Sequence, residues 1–221
     1  MSSASRRSDD DLYAEDWTDT WLVARLVVAM TARQKLWTDR IWMVWFCIQP
    51  FIILLADAVS LYPARLTGPG APLHVLQRLQ DWYVATYQDP IVAWRPATSA
   101  ANGCHDSWIG AALHVELLFS LPVALLGVYR FAVAPRRGTS GPEELLLLVY
   151  AFETAFTTGL CMYDVFFWDP AVYSTAMKKT FLYQFYAPWL VLPSLLFVDM
   201  ARRMLTRFRF ADAVMTDKKI R

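Results

Sequence analysis

The sequence lacks the patterns on which many soluble enzymes depend. Its three cysteines have no paired or metal-ligand spacing, its three histidines form no metal motif, and glycine-rich phosphate loops and nucleophile-elbow motifs are absent. The chain also has no large excess of charge of either sign, because 21 cationic side chains nearly balance 20 anionic ones. We therefore expect no metal, no cofactor, no nucleotide-dependent chemistry and no nucleic-acid partner.

What the sequence has in excess is apolar surface. Hydrophobic residues make up 56% of the chain and aromatic residues 15%. Four apolar stretches are long enough to cross a hydrocarbon core, which takes about 20 helical residues: residues 41–62, 108–131, 145–168 and 181–205. Each must be helical in lipid, where the backbone has to satisfy its own hydrogen bonds. We predict an all-α fold, a membrane-embedded four-helix bundle.

The remaining segments flank this bundle. Residues 1–40 are predicted to be a cytosolic tail with an interfacial amphipathic helix at residues 21–30, which are too few to span. Residues 41–205 form the membrane domain, and residues 206–221 a basic cytosolic tail. Four prolines lie inside the predicted spans and predict kinks, not breaks: Pro50, Pro122, Pro188 and Pro193.

Cationic residues near the spans predict the orientation. Three arginines lie in or beside the short second loop and four follow the last span: Arg130, Arg136, Arg137, Arg202, Arg203, Arg207 and Arg209. By the positive-inside rule both termini are cytosolic, although Lys178 and Lys179 fall in a loop on the other side. The final residues, 218–221, resemble a dilysine retrieval signal, so we expect a multi-pass membrane protein of the endoplasmic reticulum.

Five carboxylates lie within the predicted spans: Asp57, Glu116, Glu153, Asp164 and Asp199. An aspartate at a helix centre costs roughly 2.5–3.5 kcal/mol on insertion scales. By helical rise, Asp57, Glu116 and Asp164 share a leaflet, and we interpret Asp57 and Glu116 as a ligand site or proton-transfer pair. Asp199 lies near Arg202 and Arg203 and is interpreted as part of a structural ion pair.

Glu153 lies on a polar stripe of the third span. Tyr150 and Thr157 share its helix face, and such a face normally points to the bundle interior. The threonines are interpreted as hydrogen-bonding to neighbouring helices. Tyr186 and Trp189 in the last span could supply apolar walls or cation–π faces to a ligand, or could be ordinary packing.

Four ordered motifs resemble the EXPERA family, which includes the emopamil-binding sterol isomerases and the sigma-2 receptor proteins. They are residues 55–63 (LADAVSLYP), 82–90 (WYVATYQDP), 114–122 (HVELLFSLP) and 186–193 (YAPWLVLP). The resemblance runs from the first span to the last, about three quarters of the chain.

The resemblance implies a site as well as a fold. Asp57, Asp89 and Glu116 match acidic positions that face the ligand pocket in the family, and Tyr186, Trp189 and Glu153 join them as expected ligand-binding residues. The resemblance also implies a small helical bundle with a hydrophobic pocket, a homodimer and an endoplasmic-reticulum location. One departure is Ile53, because the isomerases carry a histidine at that position.

Two main functions stay open at this point. One is a binding protein for a sterol, terpenoid or similar lipophilic molecule among membrane lipids. The other is a cofactor-free isomerase or cyclase, of a specialised metabolite pathway for example, with Glu116 and Asp57 as catalytic acid and ionised partner. A third is a trafficking chaperone that acts through helix partners.

Overall fold

A computed structural model describes residues 37–96, 107–135 and 138–220. Within those ranges the chain is helical and contains no strand, and four helices are long and apolar enough to cross a membrane. The predicted all-α membrane bundle is therefore confirmed. The expected interfacial helix at residues 21–30 lies outside the described residues, as do Arg136, Arg137 and the side chains that end the chain.

The membrane helices extend beyond the predicted spans at several ends. Their bounds are Trp37–Leu61, Trp108–Val133, Gly141–Val165 and Thr175–Ala213, and the last α-helix continues to Ile220. Polar caps explain two of the earlier starts. Ser140 and Glu143 form a reciprocal capping box before the third helix, and the Ser174 hydroxyl accepts a hydrogen bond from the Met177 amide before the fourth.

The loop between the first two membrane helices folds over one end of the bundle, which we call the loop end. It contains a short helix, Ala64–Thr67, and a longer one, His74–Tyr87, called the loop helix from here on. Gln88 ends the loop helix in the left-handed conformation, with φ 57°. Residues 89–95 then turn back towards the second membrane helix. The opposite end of the bundle is called the terminal end.

Two helix pairs carry most of the packing: the third with the fourth, and the first with the second. The main core contains Phe46, Leu147, Tyr150, Leu196 and Met200, all almost fully buried. Phe46 packs against the backbone at Gly127, where a Cβ atom would come within 2.3 Å of its ring. A side chain larger than hydrogen at residue 127 therefore cannot fit without a shift.

Three segments of the membrane helices are π-helical: Glu116–Ser120, Tyr129–Val133 and Phe181–Tyr186. Proline accounts for two of them, because Pro122 and Pro188 have no amide hydrogen to donate to the carbonyl four residues earlier. Those carbonyls belong to Leu118 and Gln184, each inside a π-helical segment. The helices widen there and continue.

Candidate functional site: an acidic cavity at the loop end

A cavity of about 340 Å³ lies at the loop end, between the first membrane helix, the loop helix and the second membrane helix. Its volume falls within the range of small-molecule sites, roughly 300–1,000 Å³. Most of its lining is apolar. The lining residues are Leu55, Ala56, Asp57, Ser60, Leu76, Leu79, Gln80, Trp82, Tyr83, Ile91, Val92, Ile109 and Leu113.

Asp57 supplies the one carboxyl group among these lining residues. The regular α-helix ends at Leu55 and a 3₁₀ helix begins at Asp57, so Asp57 and Ser60 stand one above the other on the cavity side. Within the described part of the chain, no side chain hydrogen-bonds to the Asp57 carboxyl. Its oxygens are therefore open to a ligand.

Glu116 lies close to Asp57 but deeper in the bundle. It follows the lining residue Leu113 by three positions, which keeps it on the same helix face, and it begins a π-helical segment. Asp57 and Glu153 are the charges that act on it, and its carboxyl receives no hydrogen bond from the residues described. π-Helical turns occur frequently at functional sites.

Glu153 has one satisfied oxygen and one free one. The Ser120 hydroxyl donates to Glu153 Oε2 at 2.6 Å, whereas Oε1 is buried without a partner among the described residues. Gln49 Nε2, in the first membrane helix, is likewise buried without a partner among the described residues. Buried polar groups are normally hydrogen-bonded. The interior next to Glu116 can thus take up further polar atoms.

Asp89 differs from the other two acids of the resemblance. Its side chain is 1% exposed and accepts four hydrogen bonds: from the hydroxyls of Tyr186 (2.9 Å) and Tyr83 (3.3 Å) and from the amides of Ile91 (2.9 Å) and Val92 (3.2 Å). Burial raises the pKa of the Asp89 carboxyl, while the four donors oppose that shift. Asp89 does not line the cavity itself, but three of its four donors, Tyr83, Ile91 and Val92, belong to residues that do.

A second polar cluster fixes the loop helix to the membrane helices. The Gln80 amide donates to Ser60 Oγ at 3.0 Å, and Arg95 donates to both Ser60 Oγ (2.9 Å) and Gln80 Oε1 (2.7 Å). No motif in the sequence points to these three residues. The amphipathic spacing of residues 75–83 could have indicated the helix that carries Gln80.

The remaining predicted residues lie elsewhere. Trp189 packs against Trp45, with ring centroids 5.4 Å apart, and is not a lining residue of the cavity. Asp164 accepts a hydrogen bond from Trp168 Nε1 at 2.9 Å. Asp199 forms an ion pair with Arg203 at the terminal end. The structure thus brings together Asp57, Glu116 and Glu153, and gives Asp89 and Tyr186 to a neighbouring network.

Comparison with known proteins agrees with this architecture. The sequence model of EXPERA (EXPanded EBP superfamily) matches residues 75–200, more than half of the chain. The chain belongs to the EXPERA family. The match contains Asp89, Glu116 and Glu153, whereas Asp57 lies before it. Among curated proteins, the "Efficient mitochondria targeting-associated protein 19" of Schizosaccharomyces pombe is 28% identical over 171 residues, which cover 77% of this chain and 81% of that protein.

Proposed function

We propose that this EXPERA protein binds a lipophilic small molecule, such as a sterol or terpenoid, whose polar or cationic group meets Asp57 and Glu116. One observation carries the proposal: two neighbouring carboxyls, to which no described residue donates a hydrogen bond, lie in and beside a mostly apolar cavity inside a membrane protein. An unpaired carboxyl in an apolar environment is costly, and a ligand ammonium or hydroxyl would offset that cost.

The surrounding residues have separate roles in this proposal. Trp82 and Tyr83 offer aromatic faces to the hydrocarbon or to a cation. Asp89 acts as a positioning residue, because it ties Tyr83 of the cavity wall to Tyr186 of the fourth membrane helix. Glu153, with its free oxygen, would receive a polar group at the deeper end of the ligand.

The same pair of acids supports a second candidate, a cofactor-free isomerase or cyclase. Glu116 would protonate an olefin, and ionised Asp57 would stabilise the carbocation that forms. A carboxylate, Asp57 or the newly ionised Glu116, would then accept a proton from a neighbouring carbon, whose C–H electron pair forms the new double bond. Two neighbouring carboxyls, free of competing donors in the described part of the chain, are what such acid–base chemistry requires. The substrate would be a sterol or a product of a specialised pathway.

Binding is tested with two photoreactive probes, a diazirine-bearing cholesterol and a diazirine-bearing long-chain tertiary amine. We expect Asp57→Asn to reduce crosslinking of the amine at least tenfold and to spare the neutral sterol, because only the amine needs the charge. Asp164→Asn is the matched control, since Asp164 already has a hydrogen-bond donor in Trp168. Equal loss in both variants, or no loss in either, contradicts the proposed site.

Catalysis is tested by incubating membranes that contain the protein with candidate sterols and terpenoid precursors in deuterated water. An isomerase or cyclase would place deuterium on a product carbon, and Glu116→Gln would abolish that label while probe crosslinking persists. Unlabelled, unchanged substrate with retained crosslinking would leave binding as the function and reject catalysis.

The location of the protein is proposed from its tail and its relative. We propose an endoplasmic-reticulum protein with both termini cytosolic, on the dilysine-like tail and on the arginines of the terminal end. The name of the fission-yeast relative supports another role, association with mitochondrial targeting. Imaging of Lys218→Ala/Lys219→Ala tests the first, because loss of a retrieval signal would move the protein to later secretory membranes. A strain that lacks this protein tests the role in mitochondrial targeting. Reduced mitochondrial import in that strain, restored by the Asp57→Asn variant, would favour this role over ligand binding.

A further inference from the structure

The loop helix has an apolar face that no described part of the chain covers. Val75 is 68% exposed, Leu79 57% and Trp82 58%. Their spacing of four and three residues places them in one stripe along the helix. We call these three side chains the apolar stripe.

The other faces of the loop helix have partners or are polar. Gln80 is buried against Ser60 and Arg95, which fixes the rotation of the helix about its axis. Asp81 lies more than 90° around the helix from Val75, and its side chain is 63% exposed and polar. The contacts of Gln80 on the inner side of the loop helix therefore keep the apolar stripe on its outer side.

The apolar stripe is continuous with the lipid-facing surface of the bundle. Leu79 and Trp82 border the cavity together with Leu55 of the first membrane helix, which is itself 46% exposed. Arg78, exposed and one helical step from the stripe, adds a cation where lipid phosphates would lie. An amphipathic helix of this kind, joined to membrane-spanning helices, has the features of an interfacial helix.

We propose that the loop helix is embedded in the membrane interface, with Val75, Leu79 and Trp82 in the lipid leaflet at the loop end. The partner of this surface is the bilayer. The loop thus belongs to the membrane-bound part of the molecule and does not project into water.

The test places an environment-sensitive fluorophore at single cysteines of the full chain in phosphatidylcholine nanodiscs. The background has Cys47, Cys104 and Cys161 replaced by alanine, and Val75→Cys is compared with Asp81→Cys, whose exposed fractions are nearly equal. We expect nitroxide-labelled lipids to quench the fluorophore at residue 75 several-fold more than at residue 81, and iodide in the buffer to show the reverse order.

Two results would overturn the proposal. Equal iodide quenching at both positions would put the stripe in water, and energy transfer between two labelled chains at residue 75, with protection from lipid and iodide, would show a second copy on the stripe. A second measurement avoids cysteine replacement and uses the tryptophan emission of the protein in brominated lipids. The lipids should quench a smaller fraction of the emission in Trp82→Phe than in the unchanged protein. Trp168→Phe is the control, because it removes a buried ring and should not lower the quenched fraction.

Discussion

At the scale of single residues, the three acids that the resemblance groups together have different surroundings. Asp89 is saturated by four donors, whereas the carboxyls of Asp57 and Glu116 receive none from the described residues. A saturated carboxyl holds its neighbours in place, and an unsaturated one in an apolar cavity can bind something else. The proposed roles follow from this difference.

Two substitutions at Asp89 should distinguish the effect of losing its hydrogen-bonding atoms from the effect of losing its charge. Asp89→Ala removes the acceptor of four donors and should lower stability by about 4 kcal/mol or more, since each orphaned buried group costs roughly 1–3 kcal/mol. Asp89→Asn should cost about 1 kcal/mol or less, because its oxygen can still accept the two amides and the tyrosine hydroxyls can turn to accept from its NH₂. Melting temperatures in detergent micelles measure both. An Asn variant as unstable as the Ala variant would show that the charge matters.

The residue scale also shows how far sequence reasoning reaches. Asp57 and Glu116 could be predicted because a carboxylate inside an apolar run is conspicuous. The hydrogen bond between Tyr186 and Asp89 could not, since the two residues lie 97 positions apart in the chain. Hydrogen bonds between distant segments depend on how the helices are arranged, and no local pattern encodes them.

At the scale of elements, close contact between the first two membrane helices depends on a glycine. Gly127→Ala would place a methyl group against the Phe46 ring and should lower stability by about 1–3 kcal/mol, the usual cost of overpacking. Gly159→Ala is the matched control, because a Cβ there meets nothing within 4 Å. The control should be neutral or stabilising, by up to about 1 kcal/mol. Thermal unfolding of both variants checks this, and equal effects would contradict it.

The elements themselves were predicted unevenly from the sequence. The four membrane helices follow from long apolar runs, which have few alternative structures in lipid. Their ends were missed where polar caps extend a helix past its apolar run, as at Ser140. The loop helix was not predicted at all, because its apolar residues form a stripe and not a run.

At the scale of the whole molecule, ion pairs at the terminal end connect the four membrane helices. Arg203 on the fourth helix pairs with Asp39 on the first and with Asp199 on its own helix, both at 2.6 Å. Arg207 pairs with fully buried Glu144 of the third helix. Arg130 and Glu143 join the second helix to the third. These ion pairs stabilise the packing of the four helix ends against one another.

Two adjacent arginines allow the contribution of this arrangement to be measured. Arg203 is 4% exposed, and its loss in Arg203→Ala would leave two acids without their cation, so stability should fall by about 3–5 kcal/mol. Arg202 is exposed, and Arg202→Ala should change stability by less than about 0.5 kcal/mol. Melting temperatures of the two variants, compared in one detergent, give the difference. A small effect at Arg203 would mean that water replaces the cation.

The π-helical segments have a consequence for how such a protein can change over evolutionary time. A π-helical turn holds one residue more than an α-helical turn, so removing one residue between Glu116 and Ser120 would restore a regular helix. That deletion would leave the two halves of the second membrane helix close to their present relative rotation, because the residues of one π-helical turn cover about the same angle as the smaller number of residues in one α-helical turn. Glu116 and Ser120, then three positions apart, would still lie on one helix face towards Asp57 and Glu153. A change of length by one residue can therefore be absorbed at this turn, whereas the same change in a regular stretch of this helix would rotate every side chain beyond it by about 100° and dismantle the acidic site.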